Sequence, residues 1–396
     1  MGIRNLKTLL DRYCRFAITT RKLEAYRGMR LGIDLSIFLY KYLYNNNDHI
    51  EGLTRLILRL LKNQITPIFI FDGKPPKEKD DTLVQRKERK DFMTIKRKIF
   101  ENVSEFEKKD FESFRESVIE EANHMSSTMN NTSFLLSDND INELYQKSTE
   151  DIKKDVEKLN KKIIHVTHEH IESSKELFDL FGVKYIHEQC EAESLMAYMC
   201  KMNYIDGCIS EDTDILANGG CLFLRNFNAD KDFVDEYCLE GILDGLDLNH
   251  DQFIDLCILC GCDYTSKIHG LGPVGAHKLI KTYGTIEEII HNNKTYIVPD
   301  NFDYQRARCL FKEPVSGEIF SRIKKDNFVE EPRINLLMSF FKKRSEINQK
   351  YIKEKTLREI KNNLMNYFLN IRCSYEFDDV SNNNETSLKK NDTQRW

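Results

Sequence analysis

Two short apolar runs, Arg30 to Asp34 and Thr66 to Phe71, each end at an aspartate, Asp34 and Asp72. Between them Gly52 to Lys62 carries Leu53, Leu56, Ile57, Leu60 and Leu61 on one stripe at helical spacing, and Ser36 to Tyr44 is also helical in period. Strand, helix, strand in that order implies a parallel sheet. Both aspartates then lie at carboxyl ends of strands, where open α/β sheets place ligands.

The same rhythm returns at Val166. A helix is expected from Glu169 to Phe181, closed by Gly182 as C-cap. Then follow a strand at Val183–Ile186, a helix at Glu191–Met202, a strand at Gly207–Ser210, an acidic turn through Asp214 and a strand at Cys221–Arg225. Beyond residue 248 the pattern is helical, at 250–260, 275–283, 285–292 and around 350–369. Residues 101–160 are charged and Ser/Asn-rich without a clean period. They read as a partly mobile excursion holding helices whose limits cannot be drawn. The tail from about Asp378 is polar and expected to be disordered.

Seven acids fall into five short motifs along this frame: Asp34, Asp72, Glu191 with Glu193, Asp212 with Asp214, and Asp263. Singly, each reads as a turn, cap or helix-start residue. Positions 191 and 193 would face apart in mid-helix, but in a first turn both can reach one ion. Asp263 follows a helix end, where an acid is unfavourable. So many carboxylates in one place need cations to stay ionised. Hard divalent ions such as Mg²⁺ take oxygen ligands, and two of them ~4 Å apart suit phosphodiester cleavage.

Composition narrows the alternatives. At 396 residues, two or three domains are expected. The longest apolar runs are too short to cross a bilayer, and the N-terminus lacks a secretory pattern. Leu6 stands where myristoylation wants Ser or Thr. Eleven cysteines without a secretion signal are expected as reduced thiols in a cytoplasmic setting. The net charge is −5, yet Lys74 to Lys98 holds ten Lys or Arg against five acids. A basic strip beside an acidic metal site accounts for that balance.

Gly28-Met-Arg-Leu-Gly-Ile-Asp34, Phe71-Asp72-Gly-Lys-Pro-Pro76, Cys190-Glu191-Ala-Glu193, Glu211-Asp212-Thr-Asp214 and Gly261-Cys-Asp263-Tyr resemble, in order, the blocks of the flap endonuclease family. That family includes the 5′ exonucleases and the xeroderma-type repair nucleases. Met1-Gly2-Ile3 and Val166-Thr-His-Glu-His170 fit it too. Within the family the chain looks most like the poxvirus-encoded members, and its Asn/Lys/Ile-rich composition fits an AT-rich genome.

The resemblance implies a PIN-like three-layer α/β/α nuclease core with a mostly parallel sheet, an inserted helical arch and a helix–loop–helix module. It carries the metal ligands onto all seven acids, with Glu193 bridging two Mg²⁺ ions (Mn²⁺ as substitute). Lys79 and Arg86, two helical turns apart, take the places of cations that contact the scissile phosphate. Gly2 lies near the site. Tyr40 takes the place of a base-stacking aromatic, though its residues alone fit a core aromatic equally well. The other cations of the strip read as a solvated face lending salt-sensitive backbone affinity. The gap from Asp72 to Glu191 exceeds that of the cellular enzymes, mostly within 101–160.

Gly270-Leu-Gly272-Pro-Val-Gly275 satisfies a G-x-G-x-x-G pattern, but a helical run precedes it, so a dinucleotide site is disfavoured. Phosphate gripped by loop amides fits better. In the family such a module holds duplex DNA, often with K⁺, which points to Ser266, Gly270, Gly272 and Gly275. Cys257, Cys260 and Cys262 lack the second pair a zinc site needs and read as core. His165, His168 and His170 flank a helix start without a carboxylate partner and read as surface or capping residues.

The chain thus divides into 1–99 (core, with the start of the arch), 100–164 (arch extension), 165–330 (core with the glycine module) and 331–396 (helical region and tail). The expected activity is cleavage of branched or 5′-ended double-stranded DNA in replication, repair or recombination, at a viral replication site if poxvirus-encoded. An RNA-directed nuclease of the same fold and a non-catalytic DNA-binding scaffold are the rivals. Neither membrane attachment nor a sliding-clamp docking motif is expected.

Overall fold

In the computed structural model the described residues are 2–46, 48–104, 106, 110–128, 136–220, 222–292, 295–312 and 331–348, with 362 and 364. Their strands are β1 (Ile18–Lys22), β2 (Arg30–Asp34), β3 (Thr66–Phe71), β4 (Lys184–His187), β5 (Gly207–Ile209), β6 (Leu222–Arg225) and β7 (Phe233–Cys238). They form one sheet in the order β1-β7-β6-β5-β2-β3-β4. The ladders from β6 to β4 are parallel, while β7 joins β6 and β1 joins β7 antiparallel.

The expected strands β2 and β3 run as the apolar pattern predicts. β1 escapes that pattern because Thr19, Thr20, Arg21 and Lys22 are all exposed at the sheet edge. β7 escapes it because only Val234 and Tyr237 of its six residues are buried.

Helix α1 (Leu6–Tyr13) opens the chain. Helices α2 (Leu35–Asn46) and α3 (His49–Lys62) link β2 to β3. Alternation along β3 divides its side chains between two faces. Ile68 and Ile70 join a core with Leu195, Met196 and Met199 of a helix at Ala192–Lys201. Phe69 instead stacks on Phe178 of a helix at His168–Phe181, with ring centroids 4.1 Å apart. Helices therefore cover both faces of the sheet, as the three-layer expectation requires.

Numbered along the chain, these two helices are α8 (His168–Phe181) and α9 (Ala192–Lys201). Before them come α4 (Asp80–Val103), α5 (Phe111–Thr128), α6 (Asp138–Gln146) and α7 (Thr149–Lys162). After them come α10 (Asp214–Ala217), α11 (Leu239–Leu246), α12 (His250–Cys260), α13 (Pro273–Tyr283), α14 (Ile286–Asn292), α15 (Tyr304–Lys312) and α16 (Ile334–Asn348). The helix expected around 350–369 and the tail from Asp378 lie outside the described residues, apart from 362 and 364. Among the described residues no helix is long and apolar enough to cross a membrane.

The chain forms two units. One comprises Met1–Phe38, His49–Pro75 and His168–Trp396; the other comprises Leu39–Asp48 and Pro76–Thr167. In the first, α12 is buried along Phe253 to Cys260 and includes a buried acid, Asp255. Arg308 of α15 donates to both Asp255 oxygens, at 2.7 and 2.8 Å, and reaches Glu287 at 2.8 and 3.0 Å.

The second unit has its own core. Ile95, Ile99 and Val103 of α4 meet Phe114 and Val118 of α5, Ile141 and Leu144 of α6, and Ile152 of α7. Residues 101–160 therefore hold three further helices. Ser137 caps α6 through a reciprocal pair of bonds with Asp140, and Ser148 caps α7 by accepting from the Asp151 N–H.

Candidate active site

Parallel strands β5, β2 and β3 lie side by side, so their carboxyl ends share one edge of the sheet. Asp34 is the last residue of β2, Asp72 follows β3, and Ser210 to Asp212 follow β5. Asp34 is 1% exposed. Its Oδ1 accepts the Ile37 N–H at 3.3 Å, and its Oδ2 accepts the Ser210 hydroxyl at 2.8 Å. Ser210 Oγ in turn accepts the Asp212 N–H at 3.0 Å, and Asp212 Oδ1 accepts the Asp214 N–H at 3.0 Å.

The other acids join through two further bonds. Asp72 Oδ1 accepts the N–H of Ala192, between Glu191 and Glu193, at 3.0 Å. The Tyr264 hydroxyl donates to Glu191 Oε2 at 2.7 Å. Burial raises the Tyr264 phenol well above its ordinary value, with Glu191, Asp214 and Glu193 adding to the effect. Asp263 and Asp214 both act on the Cys262 thiol between these elements. All seven acids thus belong to one neighbourhood of the first unit.

Burial pushes the Asp34 carboxyl up to about 8, and the charge on Asp72 adds to it, against the opposing bonds from Ser210 and Ile37. A carboxyl in this position gains from a nearby cation. Among the described residues no three His, Cys, Asp or Glu side chains stand close enough to hold one ion by themselves. Mg²⁺ does not need a closed protein cage: it keeps several waters and binds through one or two carboxylates. The neighbouring thiols are poor competitors, since burial pushes Cys190 up to about 11 and Cys262 to about 12. An oxygen-only donor set suits Mg²⁺ or Mn²⁺, so the residues fit the group.

Close backbone approach explains two glycines here. Gly2 has φ of 85°, and a Cβ on it would lie 2.1 Å from Asp212 Oδ1. The next residue, Ile3, donates its N–H to Thr213 Oγ1 at 2.9 Å, and the Arg4 N–H reaches the Gly261 carbonyl at 3.0 Å. A Cβ on Gly73 would lie 2.1 Å from the Glu188 carbonyl, and the Gly73 N–H donates to the Cys190 carbonyl at 2.9 Å. Ser210, Thr213, Tyr264 and Gly73 are neighbours of the acids that the sequence reading did not select. Each adjoins a selected acid or lies within two residues of one, and a polar Ser at the end of an apolar strand was the available signal.

The glycine loop joins α12 to α13, so a helix precedes it and the dinucleotide reading fails. Gly272 is the N-cap of α13, with Pro273 after it as a helix start favours. Gly270 and Gly272 are exposed, and added Cβ atoms would meet nothing. Gly275 lies in the first turn of α13 beside Leu271, and the Ser266 hydroxyl oxygen is buried without a hydrogen-bond partner. Cys257, Cys260 and Cys262 are buried in the core, as expected.

Lys79, Arg86 and Tyr40 belong to the second unit. Lys79 ends a 3₁₀ turn and Arg86 lies on α4, both half-buried. Tyr40 is 40% exposed, with Lys90 Nζ 5.3 Å from its ring centroid, so it is not a core aromatic. One histidine expectation needs correction. His168 does have a carboxylate partner, Glu172, at 3.8 Å, because the helix brings residues four apart onto one face. His170 packs instead against His49, with ring centroids 4.8 Å apart.

Residues 1–92 match the XPG N-terminal domain and residues 182–263 the XPG I-region. The flap endonuclease 1 of Aedes aegypti is 33% identical over 334 residues, covering 79% of this chain and 75% of that protein. The chain belongs to the flap endonuclease family. All seven acids fall inside the two matched segments of that family. The Drosophila mojavensis flap endonuclease 1 is 34% identical over 333 residues, covering 79% of this chain and 74% of its own.

Solved structures agree on the fold. The catalytic core of Rad2 in complex with DNA substrate superposes with a TM-score of 0.62 at 23% identity, covering 92% of this chain and 100% of that one. Flap endonuclease-1 from Methanococcus jannaschii gives 0.57 at 21% identity, covering 89% and 96%. The core is thus that of the flap endonuclease family nucleases.

Proposed function

We propose that this chain is a structure-specific 5′ nuclease that hydrolyses DNA phosphodiesters at flaps, gaps or 5′ ends. The observation that carries the reading is the gathering of all seven acids around the carboxyl ends of β5, β2 and β3 in a family member. Asp34, Asp72, Glu191, Glu193, Asp212, Asp214 and Asp263 would hold two divalent cations, Mg²⁺ or Mn²⁺. Such ions, when bound, supply water activation and stabilise the leaving 3′-oxygen.

The chain's own residues perform the remaining work. Ser210 holds Asp34 and the Asp212 backbone in register, and Tyr264 orients Glu191, as outer partners of metal ligands commonly do. Lys79 and Arg86 neutralise charge on the attacked phosphate. The open amides of Gly270 and Gly272 grip the duplex backbone without reading sequence, with Ser266 and Gly275 shaping a loop suited to K⁺. Exposed Tyr40 offers a stacking face to an unpaired base. The Asn-, Lys- and Ile-rich composition supports a viral setting, acting in cytoplasmic DNA replication, repair or recombination.

Cleavage of a labelled 5′-flap DNA, with a matched RNA flap beside it, tests the reading. The DNA is expected to be cut only with Mg²⁺ or Mn²⁺ present, and chelation should stop the reaction. Cleavage of RNA alone would move the assignment to the RNA-directed rival. Undiminished cutting by Asp72→Ala and Asp214→Ala would remove the acids from the chemistry. Lys79→Ala with Arg86→Ala should lower turnover by about 10²-fold with little change in affinity. A loss confined to affinity would return both to the solvated strip.

A further inference from the structure

Beneath the carboxylates, two thiols touch. Cys200 Sγ, in the last turn of α9, lies 3.5 Å from Cys208 Sγ in β5. Cys200 is half-buried and Cys208 fully buried. Cys208 cannot easily shift, because its strand is paired on both sides: Cys208 opposes Gly32 of β2 and Phe223 of β6. Cys200 sits in the last turn of α9, which ends at Lys201, and is only half-buried, so a change of its χ1 rotamer is the movement open to its sulfur. A disulfide needs an S–S separation near 2.05 Å. Closing the gap therefore calls for a sulfur movement of ~1.5 Å, within the reach of such a rotation.

We propose that Cys200 and Cys208 form a peroxide-responsive pair that closes to an intramolecular disulfide. Hydrogen peroxide reaches the half-buried sulfur of Cys200 first. The thiolate attacks one peroxide oxygen and the O–O bond breaks, leaving a sulfenic acid and hydroxide, which takes up the released proton as water. The Cys208 sulfur then attacks the Cys200 sulfur. The S–OH bond breaks as the S–S bond forms, and the hydroxide leaves with the Cys208 proton as a second water. Two electrons pass from the two sulfurs to one peroxide.

A partly accessible thiol poised beside a resolving thiol is the arrangement that makes such oxidation selective. Cys309 supplies an internal reference, being exposed. The new bond would tie the end of α9 to β5. The other end of α9 carries Glu193, and the chain leaving β5 carries Asp212.

The test uses the full-length protein, reduced and then freed of reductant. It is pulsed with hydrogen peroxide, alkylated, digested with trypsin and read by mass spectrometry. Cleavage after Lys201 places Cys200 and Cys208 on different peptides. The expected result is a cross-linked pair two hydrogen masses lighter than the sum, with fragment ions placing the bridge at Cys200–Cys208. Two alkylatable thiols should disappear together and return with dithiothreitol. Cys200→Ser should abolish the bridge while Cys309 oxidises as before. Cys208→Ser should leave Cys200 as a sulfenic acid that dimedone traps. The proposal is overturned if Cys200 stays fully alkylatable while Cys309 oxidises. A bridge from Cys200 to any other cysteine overturns it equally.

Discussion

The two units are stabilised in opposite ways. In the first, a parallel sheet holds Asp34, Asp212 and Asp214 almost out of solvent, and burial together with Asp72 raises the Asp34 carboxyl far above its ordinary range. In the second, α4 to α7 close on an apolar core, and their charges pair at the surface. Lys147, for instance, meets Glu143 and Asp155 at 2.5 and 2.8 Å. One unit spends stability on placing charge; the other places its charge where water screens it. Buried, like-charged side chains outside a binding site would be a defect, and that is the argument for the proposed site lying in the first unit.

The contrast can be broken most sharply at the acids. Asp72→Ala and Asp214→Ala should each lower flap cleavage by roughly 10⁴-fold, about 5 kcal/mol of transition-state stabilisation. Asp34→Asn, by contrast, should raise the metal-free unfolding midpoint, by about 1 kcal/mol in unfolding free energy, while abolishing cleavage. A fall in that midpoint would show that Asp34 supports the fold and carries no stored repulsion.

Removing core from the second unit should cost stability of a different kind. Phe114→Ala is expected to cost about 3–5 kcal/mol. Hydrogen exchange should localise the loss to residues 95–159, leaving protection of β2, β3 and β5 intact. Exchange rising equally in both units would show that they unfold as one.

Ion pairs give the smaller effects. Arg308→Ala strands the buried carboxylate of Asp255 and should cost about 3 kcal/mol in urea unfolding. Added Mg²⁺ should stabilise the wild-type protein by about 2.7 kcal/mol at a hundred times its dissociation constant, and the Asp72→Ala protein far less. Lys147→Ala, at the surface of the second unit, should cost under ~1 kcal/mol, and less in high salt.

The sequence showed the working unit better than the helical one. β2 and β3 were legible because both are buried on two faces and therefore read as unbroken apolar runs. β1 was not, since an edge strand of Thr, Arg and Lys has no apolar pattern to offer. In 101–160 the apolar residues are sparse along helices of up to 18 residues, so periodicity alone drew no limits. The caps Ser137 and Ser148 were signals for two of the starts that the sequence reading did not use. Asp34 and Asp72 were legible because they close apolar strands, and the other five because their short acidic motifs stand at turns and helix ends. Ser210 and Tyr264 were not, because a hydroxyl gains its meaning only from what lies opposite, and that partner is 176 residues away for one and 73 for the other.

The Ile3–Thr213 bond has a consequence for how this protein is made. Ile3 must wait for a turn synthesised more than two hundred residues later before it can settle. Contacts of such sequence separation are slow to form. Ile3 therefore stays undocked until the turn at Thr213 has been made. A side chain in place of Gly2 would crowd the same seam for the life of the molecule.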